Sequence, residues 1–561
     1  MGGITLNELN VERLRAELDS LLNMQIGSAE DLNTFLSDQK RLYEQVEEKM
    51  MKHYIAFQCQ SDDEENKRKY EFDQQHIKPL YKKYQSLLDE KLLESPFLSD
   101  LPDSEYGEFK KKLRVQFALF QEANLEIEKQ EDALVNQYFE IAGSLTSNWE
   151  GEEVTLSELY AHASDPDRNT RQKAWEAIYT PILKEEEKVQ KILDELIQLR
   201  VKKAENAGLP SFTDYMFKKY NRFDYTPENC HQLAESIREH VLPLTLQLEK
   251  EHKKELDVEV YRPWDVTGVS AGKKPLKPVD SAEELISKSA KVLSELHPSF
   301  GSLVHEMNDK GLLDLTSRKG KTQGGFCESL PETGLSFIFM NISNTDNDLI
   351  VFMHEMGHGI HDMLKRDQEV YANKQIPMES AELASMSMEL ITADRWNEFY
   401  KTGEEFKRAK KEHLKSAVML LPYIMVVDQF QHWLYKNPNH SWKERNKKFG
   451  EIKERYDATI VQWEGYEDWK EKNWLKILHI FEVPFYFIEY AIAQLGALQL
   501  YKQYKDNPEE TIEKYIEALK LGSSKSLPEV YEAAGVKFDF SSTTIAELME
   551  FVAKELDLLT V

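Results

Sequence analysis

The chain has 561 residues and a formal net charge of −28, from 71 basic and 99 acidic side chains. So acidic a surface repels phosphate backbones and anionic membrane faces, which argues against nucleic acid as a partner. No apolar run approaches about 20 residues, so no membrane span is predicted.

Glycine (23) and proline (19) are sparse, and long stretches carry Leu, Glu, Lys, Gln and Ala, so most of the chain is expected to be helical. Residues 5 to about 95 read as helices with charged faces. Pro96 to Pro102 reads as a connector, and 105–145 as one long amphipathic helix or two. Helices are predicted near Leu156–Ser164 and, behind Asp165-Pro166-Asp167, over Arg168–Leu183. The helical pattern continues to residue 206, where Ala207-Gly208-Leu209-Pro210 breaks it. Prolines and glycines make Val258–Pro278 the least helical part of the middle, a loop or short strands near a cleft. Gly324–Leu330, Pro331-Glu332-Thr333-Gly334 and Leu335–Ile342 read as two arms and the turn of a β-hairpin. Such a hairpin can hold an extended peptide by its main chain, whatever the peptide's side chains.

The next segment carries the chemistry. His354-Glu355-Met356-Gly357-His358 sets two imidazoles four residues apart, about 400° of helix, so they point the same way one turn apart. A zinc ion needs such a pair, with Glu355 beside it to handle a proton. Thr345-x-x-Asp348 resembles a capping box, and Leu349, Phe352, Met353, Met356 and Ile360 make the helix apolar on most sides. Gly357 and Gly359 each disfavour a helix by roughly 1 kcal/mol, which implies a close approach to the backbone. A plain core helix with two satisfied histidines would leave Glu355 buried at a cost.

A metzincin would carry a further histidine six residues past His358, where Leu364 stands. His361, one turn on, cannot easily share one tetrahedral ion with the other two and reads as a neighbour or a substrate contact. The third ligand is then expected from a helix over Met378–Tyr400, where Glu379, Glu382, Met386 and Glu389 share one face. Glu382 is the favoured ligand, with Glu379 and Glu389 as acids that orient a ligand imidazole. Three cysteines, Cys59, Cys230 and Cys327, odd in number and far apart, imply no disulfide framework and suit a reducing, cytoplasmic compartment. The first residues carry no basic-then-apolar leader. No oligomeric state follows from the pattern.

His354-Glu355-x-Gly357-His358-x-x-His361 followed by Glu382-x-x-Ser385-x-x-x-Glu389 resembles the M3 family of zinc metallopeptidases, most closely its oligoendopeptidase F branch with the Pz-peptidases. Tyr261-Arg262-Pro263-Trp264-Asp265, Gly324-Gly325-Phe326-Cys327 and Phe337-Ile338-Phe339-Met340-Asn341 extend the resemblance, which covers roughly residues 115 to 555. It implies His354, His358 and Glu382 as ligands of one Zn²⁺ and Glu355 as the catalytic base. It also implies that His479 and Tyr490 support the transition state. Tyr486 shares a helix face with Tyr490, and Phe487 stands where the family carries a further tyrosine. The implied fold is mainly α: a large helical body split by a deep substrate channel, with a small β-sheet or hairpin beside the zinc helix. Its expected parts are an N-terminal helical region (1–110), a helical N-terminal domain of the oligoendopeptidase type (111–183) and a catalytic domain (184–561).

The function expected is zinc-dependent cleavage of internal bonds in short peptides, with Glu355 assisting attack by water. Two alternatives stand beside it. One is a metallocarboxypeptidase on a similar scaffold. The other is a non-enzymatic helical peptide-binding protein with a structural zinc, against which no cysteine lies near either half of the motif.

Overall fold

The computed structural model describes residues 10–270 and 272–559. The first nine residues, where the N-terminal helical region and any leader would begin, lie outside the described residues.

Helices Val11–Asn23, Ala29–Cys59, Lys78–Glu94 and Asp103–Leu119 pack around their own core. Leu14, Leu18 and Leu21, then Leu32, Phe35 and Leu36, recur at the spacing that lines one helix face. Asn10 and Ser28 cap the first two helices, accepting from Glu12 N at 2.8 Å and from Asp31 N at 3.1 Å. This core runs to Leu113 and takes in Val370 and Tyr371 from far along the chain. The segment 105–145 is two helices, Asp103–Leu119 and Glu122–Ser144.

A second, continuous core extends from Leu119 to Leu556. Among the described residues five strands interrupt its helices: β1 (Thr146–Trp149), β2 (Glu152–Thr155), β3 (Leu313–Thr316), β4 (Phe326–Leu330) and β5 (Leu335–Ile342). β1 and β2 form a small hairpin. β4 and β5 form the expected hairpin, in register from Phe326–Phe339 to Leu330–Leu335. β3 joins β5 in parallel, giving the order β3-β5-β4 and leaving β4 with one free edge. The loop after residue 257 forms one short turn, Pro263–Asp265, and no strand among the described residues. It lines a cavity of about 410 Å³ with Asp346 and Arg408.

β5 leads directly into the motif helix, Asp346–Lys365. Asp348 Oδ2 accepts from the backbone N–H of Ser343 (2.9 Å) and of Thr345 (2.7 Å), tying the strand's exit to the first turn. Against it lies the carboxylate helix, Met378–Thr392, buried on nearly every side. The glycine at 357 explains how close the two come: a Cβ there would lie 2.5 Å from Ser385 Cα and 2.9 Å from the Ala384 carbonyl oxygen. At Gly359 a Cβ would meet Met307 and Leu303 at ordinary contact, 3.7 Å or more, so of the two helix glycines the close approach concerns Gly357.

The N-terminal helices stand over this pair. A cavity of about 420 Å³ is walled by Cys327, Glu328 and Ser329 of β4, by His358 and by Glu47 and Met51 of helix Ala29–Cys59. A second, of about 500 Å³, shares Glu47, Tyr371 and Gln375 with it and runs between the N-terminal helices and the body. The two cavities adjoin through these shared walls, and together they are called the channel below. No helix among the described residues is long and apolar enough to cross a membrane.

Candidate active site

His354 and His358 project from one face of the motif helix, their rings 4.9 Å apart and nearly perpendicular. Glu382 reaches them from the carboxylate helix, its Oε2 3.4 Å from His354 Nε2. One donor atom from each of the three falls within 4.8 Å of the others. A tetrahedral ion with bonds of about 2.1 Å needs ligand atoms roughly 3.4 Å apart, so this set fits zinc. The donors, two imidazoles and a carboxylate, are those of a catalytic rather than a structural zinc site.

The surroundings hold the set in place. Glu389 Oε1 lies 2.6 Å from His354 Nδ1, which turns Nε2 toward Glu382. Ser385 Oγ donates to Glu382 Oε2 at 3.3 Å and Tyr486 Oη to Glu382 Oε1 at 3.1 Å. Glu379 does not orient an imidazole. It accepts from Tyr225 Oη at 2.5 Å and lies 3.7 Å from Arg222 Nε, in a buried group completed by Glu489, 2.6 Å from Arg222 Nη2. Arg222 and Tyr225 carry no motif, so nothing in the local sequence announces them.

The electrostatics favour a cation. Burial opposes charge on His354, yet the hydrogen bond and charge of Glu389, with Glu382 and Glu355, raise its pKa to about 9. Burial and then the neighbouring His354 push His358 well below its ordinary value. Glu355 is raised to about 7 by burial first, with Glu382 and Glu389 adding to it and His354 opposing. A carboxyl poised near neutrality beside two imidazoles can both accept and return a proton.

The downstream aromatics converge on the same place. Tyr486 and Tyr490 have rings 5.1 Å apart, and each lies 6.0 Å from the ring of His479. Phe487 packs edge-on against His479 at 4.8 Å. Burial first, then the charge of Glu382, raises the pKa of both tyrosines, so both remain hydrogen-bond donors. The hydroxyl on the carboxylate belongs to Tyr486. Phe485 has a φ of +65° and donates its N–H to Gln431 Oε1 at 2.7 Å, just before Tyr486 meets the carboxylate helix at Glu382.

His361 is 1 % exposed, buried against the body of the protein and out of reach of a substrate in this conformation. Glu328 of β4 adds an acid to the cavity wall, raised to about 7 by burial and then by Asp362 and Glu355. Only its place on a short strand could have marked it in the sequence.

Known proteins carry the same architecture. The model of peptidase family M3 matches residues 161–550, and that of the peptidase M3 N-terminal domain matches 3–120. The group B oligopeptidase PepB of Streptococcus agalactiae is 22 % identical over 526 residues, 87 % of this chain and 84 % of that protein. An oligoendopeptidase F homolog of Lactococcus lactis is 25 % identical over 398 residues, 67 % of this chain and 61 % of that protein. The solved structure of Pz peptidase A with an inhibitor superposes with a TM-score of 0.90 at 27 % identity, covering 98 % of each chain. The chain belongs to peptidase family M3, as a metalloendopeptidase of its oligoendopeptidase F and Pz-peptidase branch.

Proposed function

We propose that this M3 oligopeptidase is zinc-dependent and hydrolyses internal bonds of short peptides, with His354, His358 and Glu382 as the ligands. The observation that carries the reading is that the three donors converge, and that one of them, His358, stands in the wall of a cavity closed by β4 on one side and N-terminal helices on the other. When bound, zinc would supply a Lewis acid that polarises the scissile carbonyl and makes water nucleophilic near neutral pH.

The chain's own residues do the rest. The free edge of β4 pairs with an extended substrate and brings its carbonyl toward the ligands. Glu355 takes the proton from the attacking water and hands it to the leaving amine. Tyr490 donates toward the oxygen on which charge develops, Tyr486 keeps its hydroxyl on Glu382, and His479 packs against both rings. The helices up to about residue 110 act as the roof, which admits short peptides and keeps folded chains out; 111–183 and the catalytic part, 184–561, form the base. Unpaired Cys59, Cys230 and Cys327 favour a cytoplasmic setting.

The test is digestion of a fluorogenic peptide blocked at both ends, with and without a chelator. Internal cleavage abolished by the chelator and restored by zinc is expected. Cleavage untouched by metal removal sinks the reading, and trimming from a free C-terminus alone would replace it with a carboxypeptidase.

A further inference from the structure

A second cluster of metal-binding side chains lies away from the channel. Cys230 comes from helix Pro227–His240, and Asp428 and His432 lie one turn apart on helix Gly403–Lys436. One donor atom from each lies within 4.8 Å of the others, as at the first cluster. His432 Nε2 is 3.5 Å from Asp428 Oδ2, against 3.4 Å between the imidazole and carboxylate of the proposed catalytic set. Cys230 is 2 % exposed, Asp428 1 % and His432 8 %. Neither Asp428 Oδ1 nor His432 Nε2 has a hydrogen-bond partner among the described residues. Leaving two such atoms buried and unsatisfied costs roughly 1–3 kcal/mol each, so a partner that takes both is implied.

We propose that Cys230, Asp428 and His432 form a second metal site, for a divalent transition ion of the zinc class, which clamps helix Pro227–His240 to helix Gly403–Lys436. The donor set selects the ion: a thiolate and an imidazole exclude magnesium and calcium, and the spacing suits tetrahedral coordination. The charges balance, because a thiolate and a carboxylate together neutralise a divalent cation. Arg222 faces the cluster, but Glu489 and Glu379 already pair with it. The other groups at hand are His231, whose Nδ1 pairs with Gln429 Oε1, and Gln429 Nε2, which donates to Asp428 Oδ2 at 2.9 Å and leaves Oδ1 free. A site this enclosed has no room for substrate. Its consequence is mechanical: the clamp fixes the helix that follows Arg222 and Tyr225, the residues that hold Glu379 and Glu489 beneath the proposed active site.

The test counts metal and reads its ligands without using activity. In a chain carrying Cys59→Ser and Cys327→Ser, so that Cys230 is the one thiol left, zinc loading is expected to give one ion per cluster, two per chain. His358→Ala and Cys230→Ser are each expected to remove one. Cobalt in place of zinc is expected to show a thiolate-to-metal charge-transfer band in the near ultraviolet. The band should survive His358→Ala and vanish in Cys230→Ser. A cobalt-loaded His358→Ala chain without that band overturns the proposal, as does a Cys230→Ser chain holding as many ions as its parent. Should Cys230→Ser fail to fold, the band in the His358→Ala chain decides alone.

Discussion

Two helix pairs inside the same body solve one problem in opposite ways. Between the motif and carboxylate helices, and again along helix Gly403–Lys436 where Pro227–His240 packs on it, an imidazole meets a carboxylate at nearly the same distance, 3.4 and 3.5 Å. The first pair keeps an exit: His354 remains 22 % exposed in its side chain and His358 borders the channel. The second replaces one imidazole with a thiol and is sealed. Donor spacing alone therefore does not separate catalysis from structure. What separates them is access for a reacting molecule and a proton carrier within reach, and only the first pair has Glu355.

The largest effect that tests this contrast is Glu355→Gln. Turnover is expected to fall by roughly 10²–10⁴-fold with metal content unchanged, since the substitution removes the proton carrier and leaves the ligands. Steady-state peptide hydrolysis beside metal analysis reads both, and brisk hydrolysis would remove Glu355 from its role. Glu389→Gln should weaken metal binding about 10–100-fold by loosening His354, measured by chelator competition. An unchanged affinity would mean that the helix alone aims the ring.

Gly357→Ala sharpens the comparison at the level of packing. Its methyl would press on Ser385 Cα, and overpacking of this kind costs about 1–3 kcal/mol. Gly359→Ala meets open van der Waals contact and should be neutral or slightly stabilising, by up to about 1 kcal/mol. Thermal melts of the two variants side by side give the answer, and equal losses would contradict the close approach.

A further effect concerns a half-buried acid with no imidazole. Burial raises Asp89, on the channel wall, from 3.8 to about 7. Between those values the folded chain keeps a proton that the unfolded chain has released, so stability falls as pH rises through that window. Asp89→Asn should therefore gain stability over the parent near pH 8 and little near pH 4, read as the shift of the urea midpoint at each pH. An equal shift at both would rule out this carboxyl as its source.

Much of the first pair is written in short stretches of chain. The four-residue histidine spacing, the Thr345–Asp348 cap, the glycine at a tight crossing and the turn at Pro331–Gly334 are local, and local geometry can be read from order alone. The second pair left no such trace. Asp428 and His432 carry helix spacing, but Cys230 is nearly 200 positions away and joins them only because two helices happen to pack. The parallel partner of β5 was hidden for the same reason, as was Arg222 beneath Glu379. Spacing makes Tyr486 and Tyr490 look equivalent on one helix face; in the structure the helix starts at Ile488, so Tyr486 precedes it, and the hydrogen bond to Glu382 is Tyr486's.

By itself the order of residues determined a mainly helical chain, a histidine pair with an acid between, the face that would offer a third donor, and a family likeness. Tertiary structure decided which acid faces which ring, which tyrosine reaches the carboxylate, and where the N-terminal helices close the channel. The physical reason is distance: periodicity specifies what shares a face within a few turns, whereas contacts between segments hundreds of residues apart depend on how whole elements pack.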